Sequence, residues 1–142
     1  MGDASFLFRL RQQSTGSSWT EDEVVALLQN PLVFGWGVFH QWEGVGFILF
    51  YSNGETVDIL EFVVDSSYRR QGLGEILYQH AEAGVQKKAL TKILLEVSVE
   101  NLGAQNFYRK KGFNEIGLRK RYYQSSQGKD DALVMHKRLI PV

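Results

Sequence analysis

Arg69-Arg70-Gln71 runs into a pair of glycines, Gly72 and Gly74, directly after the apolar run ending Phe62-Val63-Val64. Apolar residues at helical spacing follow at once: Leu73, Ile76, Leu77, Ala81 and Val85. The pattern predicts strand, turn, helix. The first turn of a helix leaves backbone N–H groups unpaired at the positive end of the dipole, which is a ready phosphate site. Glycine at 72 and 74 removes the Cβ atoms that would hold a pyrophosphate off those groups, and the arginines add positive charge. A dinucleotide fingerprint needs a third Gly or Ala at position 77, where leucine stands, and a Walker loop needs Gly-Lys-Ser/Thr, which the chain lacks. An ordinary glycine-rich strand-to-helix turn is the plainer alternative.

A second group of candidates is acid–base in character. Glu96 interrupts the apolar run Ile93-Leu94-Leu95…Val97. An unpaired carboxylate in such a strand is costly, so Glu96 is expected either to hold a raised pKa or to have a structural partner. Asp58 and Glu61, three residues apart on the preceding strand, are expected on opposite faces, and either could serve as a base instead. Tyr108 lies beside Phe107 one helical turn after Ala104 and could equally be a core aromatic. Asn101 reads most simply as a helix N-cap. Tyr122 and Tyr123 point to opposite faces of a strand, so one can be core while the other lines a groove. His40, His80 and His136 show no metal-ligand spacing, and no metal is expected.

These groups need a scaffold, and 142 residues with 44% hydrophobic content suit a single globular domain spanning residues 1–142. The 16 basic and 16 acidic residues cancel, so no overall field favours nucleic acid or an anionic membrane. The absence of cysteine excludes disulfides, thiolate metal sites and an acetyl-cysteine intermediate. No apolar run is long enough for a membrane span, the N-terminus lacks the pattern of a secretory signal, and Phe6 stands where a myristoylation signal wants Ser or Thr. The cytoplasm is the default expectation. Ala4 to Gln13 fits a short amphipathic helix. Thr20-Glu21-Asp22-Glu23 matches a capping box for a second helix that stops at Asn30-Pro31. Val33–Trp42, Val45–Tyr51 and a run from Thr56 predict three antiparallel strands. The helix from Leu73 should end near Lys87-Lys88, and Thr91 to Val99 reads as a strand covered on both faces. A helix follows from Ala104 to Lys111 with Gly112 as its stop, and Phe113–Gln124 and Ala132–Leu139 form a final hairpin around Ser125 to Asp131.

With the order of elements in place, Arg69-x-x-Gly72-x-Gly74 after a Val-Val strand resembles the acyl-CoA pyrophosphate loop of the GNAT N-acetyltransferases. Leu94-Leu95-Glu96-Val97, Asn101, Ala104, Phe107-Tyr108, Lys111-Gly112-Phe113, Arg121-Tyr122-Tyr123 and Asp131-Ala132-Leu133-Val134-Met135 are similar to the ribosomal-protein-alanine (RimI-type) branch and to N-terminal acetyltransferase catalytic subunits. The likeness covers about Trp19 to Met135. It implies an α/β (α+β) GNAT fold: a mixed, mostly antiparallel sheet, helices on both faces, and a central parallel pair splayed around acetyl-CoA. Phe62, Val63 and Val64 would face the pantetheine. Arg69, Arg70, Gln71, Gly72, Leu73, Gly74 and Glu75 would hold the pyrophosphate, and Asn101 would touch the cofactor. Glu96 would be the general base and Tyr108 the general acid, while Trp19, Tyr122 and Tyr123 would flank the substrate. The implied partner is a protein N-terminus, that of a small-subunit ribosomal protein beginning with alanine. A small-molecule amine, a lysine side chain, or a non-catalytic acyl-CoA-binding module are the alternatives. Two departures stand out. The family opens with a strand for which this chain starts too late, and Ser18 precedes Trp19 where the family often has proline.

Overall fold

The computed structural model describes residues 4–15, 20–68, 72–120 and 131–140. In chain order the elements are α1 (Ala4–Thr15), α2 (Glu21–Gln29), β1 (Val33–His40), β2 (Glu43–Ser52), β3 (Thr56–Val64), a 3-10 turn (Ser66–Tyr68), α3 (Leu73–Lys87), β4 (Lys92–Ser98), α4 (Leu102–Lys110), β5 (Asn114–Arg119) and β6 (Ala132–Arg138). The capping box forms as the sequence predicts. Glu23 N donates to Thr20 Oγ1 at 3.1 Å, and Thr20 N donates to Glu23 Oε1 at 2.8 Å. Asn30 then takes an extended ψ of 121° ahead of Pro31, which ends α2. Asn101 caps α4 by accepting from Ala104 N at 3.0 Å, and Gly112, at φ +99°, turns the chain out of it.

The strands form one sheet in the order β1-β2-β3-β4-β6-β5. All neighbours are antiparallel except β3 and β4, which run parallel and pair only at Thr56↔Lys92, Val57↔Ile93 and Asp58↔Leu94. Past Asp58 the two strands separate into a V. Two cores hold the sheet. On one face Ile48, Phe50, Val57, Tyr78, Ala81, Ile93 and Met135 join β2, β3, β4 and β6 to α3 and α4. At Gly84 of α3 an added Cβ would lie 2.1 Å from the Trp36 ring, so only glycine lets this helix sit so close on β1. On the other face Leu7, Leu10, Val24, Phe47, Leu49 and Val63 join α1 and α2 to β2 and β3.

Two expectations are corrected. The strand at Thr91–Val99 is covered on one face, not both: Ile93, Leu95 and Val97 are buried, while Lys92, Leu94, Glu96 and Ser98 alternate toward an open side. The reason is that α1 and α2 lie against β1, β2 and β3, leaving that side of β4 uncovered by them. Second, Asp58 and Glu61 share a face. Leu49 pairs with Glu61 and Phe50 with Ile59, so Leu60 is an extra residue in a β-bulge. The bulge shifts the alternation by one and brings both carboxylates to the α1 side, opposite Tyr51 and Leu49.

Candidate active site

The V between β3 and β4 opens into a cavity of about 850 Å³. Phe62, Val63 and Val64 form one wall, Gly72, Leu73 and Gly74 the mouth, and Asn101, Ala104, Phe107 and Tyr108 the α4 side, with Glu61 and Tyr68 also contributing. Eight residues singled out by sequence thus converge: Phe62, Val63, Val64, Gly72, Leu73, Gly74, Asn101 and Tyr108. Gly72 is the N-cap of α3 with φ +78°, a left-handed angle that side chains other than glycine rarely accept, and no side chain caps the helix. The first intrahelical bond is Ile76 N to Gly72 O, so the N–H groups before it are free of helical partners at the cavity mouth. At Gly74 a Cβ would meet Phe62 and Val64 at ordinary contact distance, 3.8–3.9 Å, so this position is less constrained than Gly72.

Glu75 stands apart from the expected set. It does not line the cavity, and its carboxylate pairs with Lys111 at the start of the turn after α4. Arg69, Arg70, Gln71, Trp19, Tyr122 and Tyr123 lie outside the described residues.

Tyr108 is a core aromatic that also forms part of the cavity wall. It is buried among Phe62, Phe107 and Phe113, with ring centroids 6.5, 5.5 and 5.4 Å away, and it faces the cavity. Burial pushes its phenol well above the usual tyrosine range, and the nearby Glu61 charge adds to this. Tyr108 therefore keeps its proton at any ordinary pH, as a proton donor must.

Glu96 sits on the opposite side of β4. It does not line the cavity; its side chain is 36% exposed, and Oε2 accepts from Arg119 Nη1 at 2.8 Å. β3 gives the cavity residues from both faces of the sheet, Phe62 from the Tyr108 side and Glu61 and Val63 from the α1 side, which is also the face of Glu96. Beside Glu96, Asp58 has its carboxyl raised above the usual range, first by partial burial and then by the Glu96 charge.

Several positioning roles escaped the sequence reading, among them that of Glu61, which the sequence offered only as an alternative base. Glu61 and Arg11 are both largely buried and form an ion pair at 2.6 Å that ties α1 to the bulge. Asp65, 6% exposed, accepts from Ser67 N at 2.9 Å and has Arg9 Nη1 at 3.8 Å, fixing the turn that presents Tyr68 to the cavity. Its Asp-Ser-Ser sequence is the signal that could have revealed it. Gln105, 4% exposed, donates to the Ser98 and Val99 carbonyls at 3.0 and 3.1 Å and staples α4 to the end of β4. Among the described residues, no group of His, Asp and Glu is placed to hold a metal, and no helix is long and apolar enough to cross a membrane.

A mixed sheet parted at its one parallel pair, with a glycine-started helix at the mouth of the gap, is the N-acetyltransferase architecture. The chain belongs to the Acetyltransferase (GNAT) family, whose sequence pattern matches residues 4–113. It is similar to the ribosomal protein bS18-alanine N-acetyltransferase of Escherichia coli K12, 36% identical over 77 residues, which is 54% of this chain and 52% of that protein. The matched stretch thus spans about half the length of that curated relative. A Bacillus subtilis (strain 168) protein given the same name provisionally is 30% identical over 134 residues, 94% of this chain and 87% of its own length. The crystal structure of the Escherichia coli ribosomal-protein-S18-alanine N-acetyltransferase superposes with a TM-score of 0.87 at 25% identity, covering 96% of this chain and 87% of that one.

Proposed function

We propose that the chain transfers the acetyl group of acetyl-CoA to the α-amine of a protein, and that its substrate is the N-terminal alanine of a small-subunit ribosomal protein. The observation that carries the reading is the parting of β3 from β4 after Asp58, with a buried Tyr108 in the cavity on one face and the carboxylates Asp58 and Glu96 on the other. The names of the relatives support the substrate.

The residues fit the cofactor. Gly72 leaves the helix N-terminus bare for a pyrophosphate, and the cavity is long enough to follow β3 from Val64 toward Glu61. Acetyl-CoA supplies the acyl group as a thioester. Phe62, Val63 and Val64 line the arm, and Asn101 closes the α4 side. The amine enters from the open face, where Glu96 takes its proton directly or through water. Tyr108 gives a proton to the departing sulfur. With no cysteine in the chain, the amine attacks the thioester directly in a ternary complex.

The chemistry suits an α-amine. With a pKa of about 7.8, roughly one molecule in seven is neutral at pH 7, against about one in 2,500 for a lysine at about 10.4. A surface carboxylate is adequate for the first and strained for the second. The test is acetyl-CoA turnover against peptides differing only in residue one, beside free lysine and polyamines. Preference for an alanine start supports the reading, and faster turnover of lysine or polyamine overturns it.

A further inference from the structure

We propose that Asp58 is a second catalytic carboxylate: Asp58 and Glu96, adjacent at the point of the V on the open face, act as one proton-accepting unit for the incoming amine. The proposal rests on the amine-acetylation reading above and deepens it.

The register carries the argument. Asp58 is the last residue of β3 to pair with β4, opposite Leu94, and Glu96 is the next residue of β4 on the Leu94 face. Asp58 lies on that same face, opposite the side on which Val57 and Ile59 enter the α3–α4 core. The two carboxylates are therefore diagonal neighbours on adjacent strands, at the spot where the β3–β4 ladder ends. Glu61, brought to this side by the bulge, is already engaged by Arg11. Among the described residues, the other charged or titratable groups on elements packed around Asp58 include Tyr51 opposite it on β2, Lys92 below Leu94 on β4, Arg119 of β5 on Glu96, His136 of β6 beyond Leu94, and Arg9 and Arg11 of α1.

Two carboxylates suit the proton balance. An α-ammonium must lose one proton to become a nucleophile and a second as the N–C bond forms and the C–S bond breaks. Tyr108 returns one proton to sulfur, so one is released per turnover. A pair that is doubly ionised when the ammonium arrives accepts one proton and still keeps one negative charge, so it deprotonates the amine without losing its attraction for the substrate. Glu96 already shares an oxygen with Arg119, and Asp58 is the member whose affinity for a proton is raised by its neighbour. The proton taken from the amine passes to Asp58.

The experiment combines rates, stability and titration on the full chain. Asp58→Asn should lower kcat/KM on the alanine-start peptide by about tenfold or more and remove the acid limb of its pH profile, leaving acetyl-CoA affinity within about twofold. Glu96→Gln should keep an acid limb but move it to lower pH, because Asp58 has lost its like-charged neighbour. Asp58→Glu should restore part of the rate. Since ionised Asp58 is disfavoured in the fold, Asp58→Asn should melt no lower than wild type, which a merely structural aspartate would not do. Carbon-13 NMR of the Asp58 carboxyl without any substrate should show a titration above the usual range that falls in Glu96→Gln. An unchanged pH profile in Asp58→Asn, or an Asp58 titration indifferent to Glu96→Gln, overturns the pair. A wild type silent on every α-amine peptide, with the coupled titration intact, overturns the substrate reading and leaves the pair supported.

Discussion

The two sides of the β3–β4 gap are built on opposite physical principles. On the α4 side Tyr108 is held by aromatic packing, and its proton affinity is set mainly by exclusion of water. On the open side Glu96 is reached by solvent and forms an ion pair with Arg119. A buried donor keeps one protonation state whatever the buffer does, whereas an exposed acceptor exchanges protons with solvent. The difference suits a reaction that delivers a proton on one side and releases one on the other. It also implies that damage on the two sides should look different.

The largest effect should come from the mouth shared by both sides. Gly72→Asp forces a side chain onto a φ of +78° and sets a negative charge at the helix start. Calorimetry should find no acetyl-CoA binding to the folded mutant, and unchanged affinity would mean the pyrophosphate lies elsewhere. Next comes Tyr108→Phe. Turnover should fall by about a hundred- to ten-thousandfold with cofactor affinity kept, and raising the pH should not restore it. Glu96→Gln should fall at the low end of that range and recover in part at alkaline pH, where more amine arrives neutral. If alkaline pH rescues both mutants alike, the contrast between the sides fails. The smallest effect is on stability. The folded-state pKa of Tyr108 is raised, so the stability it contributes is present below the unfolded tyrosine value, about 10, and is lost as pH climbs above it. Wild type should therefore lose melting temperature more steeply than Tyr108→Phe above about pH 10. Parallel curves would show that Tyr108 reaches solvent.

The buried side was the more legible in the sequence. Asn101, Gly72 and Gly112 are local signals whose meaning depends on residues a few positions away, and each stands at a helix end where the sequence put one. The open side depends on long-range facts. Leu94 and Leu95 are equally apolar, and nothing nearby tells which of them α1 and α2 fail to cover. The bulge at Leu60 is invisible because Val57, Ile59 and Phe62 pass for a strand with one irregular step; only pairing with β2 reveals that Asp58 and Glu61 share a face. Arg11 and Glu61 are 50 residues apart, so their pairing leaves no local signal. The charged residues were visible, but their partners depended on the fold.

The short parallel ladder has a further consequence. Beyond Asp58, among the described residues, β3 has no ladder partner on its β4 side, so the sheet contains an edge strand in its interior. An exposed sheet edge ordinarily invites another chain to pair with it. Here the unpaired stretch of β3 from Glu61 to Val64 lines the cavity. A thin ligand carrying its own amides could settle there as a surrogate strand, with main-chain hydrogen bonds providing the fit. On that view occupancy is a form of sheet completion. It should be visible as slowed amide hydrogen exchange along β3 between Ile59 and Val63, while β1 and β2 exchange as before.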